Sequence, residues 1–186
     1  NNFFIFITYY ILILISIYGY GIFFTKLFKL KLNFINFGYA GLLGIYILIV
    51  YSYFSNLFIA HNEFHNLVIL FIGLILFFYS IKQNYSLYKN EIFFSVVVFF
   101  LLFCAVLQFK NHDDFPYYHF PYITLLTEYS HPLGLGQLNN GFRSPSSIFF
   151  ISSLFFLPKV GIFSILPFFA KFRISSITVL GFFNSK

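Results

Sequence analysis

The chain has 186 residues, of which 60% are hydrophobic, 26% aromatic and 9% charged, and its formal net charge is +6. A mean hydropathy of +0.86 excludes an ordinary soluble domain. The basic residues are spread among connecting segments and form no single patch, which argues against a nucleic-acid partner and favours membrane lipids.

Four apolar stretches approach the length of about 20 residues that a helix needs to cross a bilayer. They cover residues 3–24, 37–59, 66–81 and 92–109, and none has Asp, Glu, Lys, Arg or His in its interior. The sequence therefore predicts an all-α, polytopic transmembrane helical bundle, with residues 1–109 forming four transmembrane helices.

The charge of the connecting segments alternates along the chain. Residues 25–33 carry three lysines and residues 82–91 carry two, whereas residues 61–65 have neither Lys nor Arg. By the positive-inside rule the first two segments face the cytoplasm. The 61–65 turn and the long loop of residues 110–147 are then expected on the external face, which we take to be that of a bacterial inner membrane.

The 110–147 loop is the only long polar segment, and long loops in compact membrane proteins are often functional. Pro121 can open a helix there. The apolar residues that follow it share one helical face at i, i+3, i+4, i+7 spacing: Tyr122, Leu125, Leu126 and Tyr129. The pattern predicts a short amphipathic helix lying on the membrane surface, and Ser146 or Ser147 is expected to cap the helix that comes next.

A fifth apolar region, residues 147–170, is interrupted by Pro158 and Lys159. It is either one kinked span or an interfacial helix followed by part of another. Residues 148–186 are therefore expected to supply a further membrane helix or helices. We interpret both ends of the chain as cut from a longer protein, because methionine is absent and a hydrophobic run lies shortly before Lys186.

The polar residues of the loop are candidates for chemistry. Three of the five acids and three of the five histidines fall in it: Asp113, Asp114, Glu128, His112, His119 and His131. Asp113 and Asp114 closely follow the fourth predicted span, so they are expected at the membrane surface. A carboxylate there suits a general base for an acceptor hydroxyl, or an oxygen ligand for Mg²⁺ or Mn²⁺. The alternative is an acid pair that only shapes a turn.

Four further residues could act beside the aspartates. His112 and His119 are candidate metal ligands, although their spacing matches no tight zinc pattern and interfacial hydrogen bonding is the alternative. Arg143 can hold a phosphate through its bidentate fork, with Lys110 as a second cation, or it can contact a lipid headgroup.

The segments "DDFPYYHFPY" and "TEYSHPLGLGQLNNGFRSPSSIFFISSLFFLP" resemble the first external loop of the GT-C class of membrane glycosyltransferases, and more closely a bacterial branch related to it. The resemblance covers about a quarter of the chain. It implies an acidic motif that binds a divalent cation or acts as base, here Asp113 and Asp114, followed by an aromatic residue and a histidine, here Tyr118 and His119. It also implies a sugar donor linked to a polyprenyl phosphate. We further expect His112, Tyr118 and Glu128 to be supporting residues of the site.

The sequence thus predicts a membrane glycosyltransferase that moves a sugar from a polyprenyl-phosphate donor to an acceptor on the external face. One alternative is a transporter or an energy-coupled membrane subunit, which normally places ionisable residues inside its spans. Another is a non-catalytic scaffold that uses the loop as a partner-binding surface.

Overall fold

The computed structural model of the chain describes residues 2–29, 37–83, 85–108, 115–131, 134–143 and 146–160. Within these ranges the regular structure is helical and no strand occurs, which confirms the all-α prediction. The long helices are α1 (Asn2–Leu27), α2 (Phe37–Asn56), α3 (Glu63–Gln83) and α4 (Tyr85–Gln108).

Three helices in the described part of the chain are long and apolar enough to cross a membrane. They cover Phe4–Leu27, Phe37–Asn56 and Glu63–Gln83, and so correspond to the first three predicted spans. The α4 helix is 24 residues long, and its crossing of the membrane stays a prediction.

The connection between α2 and α3 begins earlier than the apolar pattern suggested. The sequence predicts the second span over approximately residues 37–59, and the α2 helix ends at Asn56. The backbone N–H groups of Phe58 and Ile59 turn back to the carbonyl of Ser55. The α3 helix begins at Glu63, where the side chain of Asn62 accepts a hydrogen bond from the N–H of His65 at 2.9 Å. An Asn at that position is a preferred helix cap.

Small residues let α1 approach both of its neighbours closely. A Cβ atom added to Gly19 would overlap the backbone carbonyl of Gly73 on α3, and one added to Gly21 would overlap that of Ala40 on α2. Close backbone contact through glycine is a common way for helices to associate where lipid removes the hydrophobic driving force. The α1, α2 and α3 helices therefore form the tightly packed part of the bundle.

The α4 helix attaches to this three-helix unit through aromatic side chains and one cap. Tyr10 of α1 lies 5.3 Å from Phe99 and 6.3 Å from Phe103, measured between ring centroids. At the other end of the bundle, the carboxylate of Glu91 accepts a hydrogen bond from the N–H of Phe37 at 3.2 Å. That contact satisfies one of the unpaired N–H groups with which α2 begins.

A second layer is formed by the described residues between 115 and 160, here called the loop assembly. It contains a π-helical turn (Phe115–His119), α5 (Phe120–Glu128), the short α6 (Leu135–Leu138), a 3-10 turn (Asn140–Phe142) and α7 (Ser147–Phe155). These elements share a core made of nine buried side chains: Phe115, Tyr122, Ile123, Leu126, Leu135, Phe142, Phe149, Phe150 and Phe156. The loop is therefore a packed structure with its own apolar interior.

The α5 helix corresponds to the predicted amphipathic helix, with Pro121 in its first turn. Its buried residues are Tyr122, Ile123 and Leu126. The prediction that Tyr129 belongs to the apolar face is wrong, because the backbone is extended at Tyr129 and its side chain is 57% exposed. The apolar face of α5 packs on α7 inside the loop assembly.

The α7 helix begins where the sequence indicated, because the hydroxyl of Ser146 accepts a hydrogen bond from the N–H of Ile148 at 3.4 Å. Residues 149–157 are all buried. The helix has nine residues and ends at Phe155, before Pro158, so it is too short to cross a bilayer by itself. The predicted helix or helices beyond residue 160 lie outside the described residues.

Candidate functional site

The residues on which the sequence placed most of the chemistry are not part of the described structure. Asp113, Asp114, Lys110 and His112 all lie outside the described residues. The candidate site is therefore built from the loop assembly that follows them and from the ends of α1, α2 and α3.

Tyr118, His119 and Arg143 lie in neighbouring parts of the loop assembly. The ring of Tyr118 packs directly over Gly141, where an added Cβ would lie 2.7 Å from the ring. The ring centroid of His119 is 4.3 Å from that of Tyr118 and 5.1 Å from that of Phe149. Two residues after Gly141, the exposed Arg143 donates from Nε to the carbonyl of Gly136 at 3.4 Å.

Glu128, the remaining described residue of the predicted site, lies elsewhere. It is the last residue of α5, whereas His119 directly precedes the first. Nine residues of α-helix span roughly 13 Å. The exposed Glu128 is thus separated from the Tyr118 and His119 pair by the length of α5.

A metal site cannot be assembled from the described residues alone. No group of three or more His, Cys, Asp or Glu side chains suited to a metal ion occurs among them. Of the four predicted ligands, Asp113, Asp114, His112 and His119, only His119 is described.

A largely buried polar cluster, which the sequence did not predict, lies where the loop assembly meets the ends of α2 and α3. This cluster, here called the His61 cluster, consists of Tyr51, Ser55, His61, His65, Asn66 and Ser153. His61 and Ser153 are both 0% exposed. The imidazole rings of His61 and His65 are stacked, with centroids 5.2 Å apart and an interplanar angle of 6°.

Hydrogen bonds to two serines hold both ring nitrogens of His61. Nδ1 lies 2.6 Å from the hydroxyl oxygen of Ser153, and Nε2 lies 2.9 Å from that of Ser55. Each hydroxyl also lies within hydrogen-bonding distance of a carbonyl, that of Phe150 for Ser153 and that of Ser52 for Ser55. Burial, followed by the neighbouring His65, lowers the pKa of His61 from 6.5 to about 3. The ring is therefore neutral and joins α2 to α7.

Asn66 and Tyr9 donate hydrogen bonds to carbonyl groups at the buried end of α7. The side-chain amide of Asn66 donates to the carbonyls of Ser153 at 2.7 Å and Phe156 at 2.8 Å, and also to that of His61 at 2.8 Å. The hydroxyl of Tyr9 donates to the carbonyl of Phe155 at 2.7 Å. A helix that ends in a buried place needs such partners, because its last carbonyls have none within the helix.

Backbone contacts join the same region to α5. The N–H of His61 donates to the carbonyl of Leu126 at 3.0 Å, and the N–H of His131 donates to the carbonyl of Asn56 at 2.8 Å. The amide of Asn56 also donates to Leu126, at 3.2 Å. The connection between α2 and α3 therefore holds both α5 and α7 in place.

The His61 cluster is suited to holding α7 against α2 and α3 and not to catalysis. Its central ring is inaccessible, neutral and hydrogen-bonded at both nitrogen atoms. The one feature of the sequence that pointed to this cluster was the segment "HNEFHN", which is polar but contains neither lysine nor arginine. Their partner Ser153 is more than 80 residues away in the chain and gave no comparable signal.

Comparison with known proteins gives a family but no activity. Residues 3–176 match a protein family described as Domain of unknown function (DUF8201). No curated protein and no solved structure matches the chain.

Proposed function

The chain belongs to the DUF8201 family, and we propose that it is an integral membrane glycosyltransferase of the GT-C type. It moves a sugar from a polyprenyl-phosphate donor to an acceptor on the external face of a bacterial inner membrane. The resemblance of the region from about residue 112 to residue 158 to the GT-C loop is one support, and three helices apolar enough to span a membrane are another.

The observation that carries the proposal is the placement of the loop assembly. Its α5 and α7 helices are joined to the α2–α3 connection by backbone and side-chain hydrogen bonds. The surface that contains Tyr118, His119 and Arg143 is thus attached to one end of the bundle. A transferase acting on a membrane-anchored donor needs a rigid site at such an end, because orientation lowers the barrier for group transfer.

The proposed reaction uses the carboxylate of Asp113 or Asp114 as a base. The carboxylate accepts the proton of the acceptor hydroxyl, whose oxygen bonds to the anomeric carbon while the bond from that carbon to the phosphate oxygen breaks. The polyprenyl phosphate departs with the electron pair. Arg143 and Lys110 bind its phosphate and stabilise the negative charge.

Two carboxylates and an imidazole, those of Asp113, Asp114 and His119, are compatible with Mg²⁺ or Mn²⁺. A bound cation would supply further stabilisation of the phosphate charge. Of this set, His119 is the residue that the structure describes.

Transport is less well supported than transfer. In α1, α2 and α3, which are fully described, the Asp, Glu, Lys, Arg and His residues are Lys26, Glu63, His65 and Lys82, each in a first or last turn. Ion and proton carriers normally place such groups deeper.

The test substitutes Asp113→Asn and Asp114→Asn singly in the membrane-embedded chain. Transfer from a radiolabelled polyprenyl-phosphate sugar pool is then measured in membranes. Loss of a general base lowers the rate by about 10²–10⁴-fold, so at least one variant is expected to fall in that range. Glu91→Gln is the matched control, because Glu91 lies on α4 outside the proposed site and its glutamine variant keeps an oxygen that can accept the hydrogen bond from the N–H of Phe37. Undiminished transfer in both aspartate variants would refute the catalytic assignment.

The external placement has its own test. Reporter fusions in residues 82–91 and in residues 110–147 are expected to report the cytoplasm and the exterior, respectively. A cytoplasmic 110–147 segment would remove the basis for transfer on the outer face.

A further inference from the structure

The connection between α2 and α3 has an inverted distribution of polar and apolar side chains. We define the α2–α3 turn as residues 57–62. Its large apolar side chains point outwards, with Leu57 48%, Phe58 68% and Ile59 51% exposed. Among its polar residues, His61 is fully buried, and Asn62 is exposed but caps α3.

The flanking turns of the two helices repeat this inversion. Phe54 and Phe64 are 64% and 77% exposed, whereas Ser55, Asn56 and Asn66 are buried and hydrogen-bonded inside the protein. A turn in water shows the opposite order, because exposed apolar surface is unfavourable there and polar groups can be hydrated. The distribution indicates that the medium around this turn is apolar.

The exposed apolar surface is continuous with the sides of two candidate spans. On α2 it extends through Tyr46 and Val50 to Phe54, at steps of four residues. On α3 it extends from Phe64 through Val68 and Phe71 to Ile75. Exposed apolar side chains therefore continue from the sides of both candidate spans onto the turn.

The ion pair between Glu63 and Lys159 limits how deep the turn can lie. Nζ of Lys159 is 3.1 Å from the carboxylate of Glu63, and the lysine side chain is 81% exposed. An exposed ammonium group is costly in hydrocarbon but favourable among headgroups. This pair therefore belongs at the headgroup level, next to the apolar turn.

We infer that the α2–α3 turn is embedded in the membrane interface, where Phe54, Phe58, Ile59 and Phe64 contact the acyl chains of bilayer lipids just below their headgroups. Since Leu126 of α5 and Ser153 of α7 bind this turn, the loop assembly is held at the lipid surface. The inference rests on the membrane placement in the proposed function and is independent of transferase activity.

The chain contains no tryptophan, so a single introduced tryptophan reports on its own surroundings. The test uses the Phe58→Trp and Phe64→Trp variants of the full chain in phosphatidylcholine bilayers. A fraction of the lipids carries bromine on the acyl carbons nearest the headgroup. The control is Asn140→Trp, an exposed position in the 3-10 turn of the loop assembly. Fluorescence quenching by the brominated lipids is compared with quenching by aqueous acrylamide.

Both phenylalanine variants are expected to be quenched by the brominated lipids, and several-fold less by acrylamide than the control. Equal access of acrylamide to all three tryptophans would overturn the inference, because the turn would then lie in water. Quenching by neither reagent would also overturn it, because a second copy of the chain or another protein would then cover the turn. Neither failure would affect the transfer measured with the aspartate variants, so the two proposals can fail separately.

Discussion

Replacing Asn66 with alanine tests how α7 is held, because it removes the amide donors that serve three buried carbonyls. Those carbonyls belong to His61, Ser153 and Phe156, at 2.7 to 2.8 Å. Ser153 is 0% and Phe156 6% exposed, so water has no ready access as a substitute. A buried polar group left without a partner costs about 1–3 kcal/mol.

The expected magnitude follows from the number of bonds lost. An amide has two N–H groups, so the three contacts amount to about two full hydrogen bonds. The carbonyl of Ser153 keeps a second, longer bond from the N–H of Phe156 at 3.3 Å. We therefore expect Asn66→Ala to lower the free energy of unfolding by roughly 2–4 kcal/mol.

Thermal denaturation followed by circular dichroism, with the protein in bilayer nanodiscs, measures this change. Asn90→Ala is the matched control, since Asn90 is an exposed asparagine on α4. The Asn66→Asp variant gives a second readout, because an ionised carboxylate places negative charge against the three carbonyls. It should be less stable than Asn66→Ala at neutral pH. If Asn66→Ala is no less stable than the Asn90→Ala control, the role assigned to Asn66 is wrong.

Three other predictions follow from the same region. Between pH 6.5 and about 3, His61 binds a proton in the unfolded chain but not in the folded chain. The contribution of His61 to the free energy of unfolding therefore falls as the pH falls, by up to about 1.4 kcal/mol per pH unit. His61→Gln should flatten that part of the pH–stability curve, and an unchanged slope would contradict the burial argument. Tyr9→Phe removes the hydroxyl that binds the carbonyl of Phe155 and should cost about 1–3 kcal/mol in thermal denaturation; a neutral effect would argue against this contact. Gly19→Ala introduces a Cβ against the carbonyl of Gly73 and should separate α1 from α3, which cross-linking of introduced cysteine pairs would detect as a lower yield.

The long helices could be predicted from the sequence because their signal is local. An apolar run of about 20 residues determines a span regardless of its neighbours. The limits of α2 and α3 were harder, since the helix end at Asn56 and the cap at Asn62 depend on hydrogen bonds among polar residues that an apolar count ignores. The cap at Ser146 was predictable because that signal lies within three residues.

The His61 cluster could not be predicted for a different reason. Its bonds join α2, α3 and α7, and the residues that pair are up to 92 positions apart. Nothing in "HNEFHN" distinguishes a turn in water from one whose polar groups point inwards. The assignment of Asp113 and Asp114 stays a prediction, since both lie outside the described residues.

The long-range hydrogen bonds that hold the end of α7 also have a consequence for biosynthesis. Asn66 and its partner Phe156 are separated by 90 residues, and a ribosome adds about 5–20 residues per second. For roughly 5 to 20 seconds the newly inserted α1, α2 and α3 helices therefore lack the partners that α7 later supplies to Tyr9, His61 and Asn66. During that interval the nascent chain depends on water, lipid headgroups or an insertion factor to accommodate these polar groups. Changes to the coding sequence that slow translation between residues 66 and 156, without altering any amino acid, would lengthen this period.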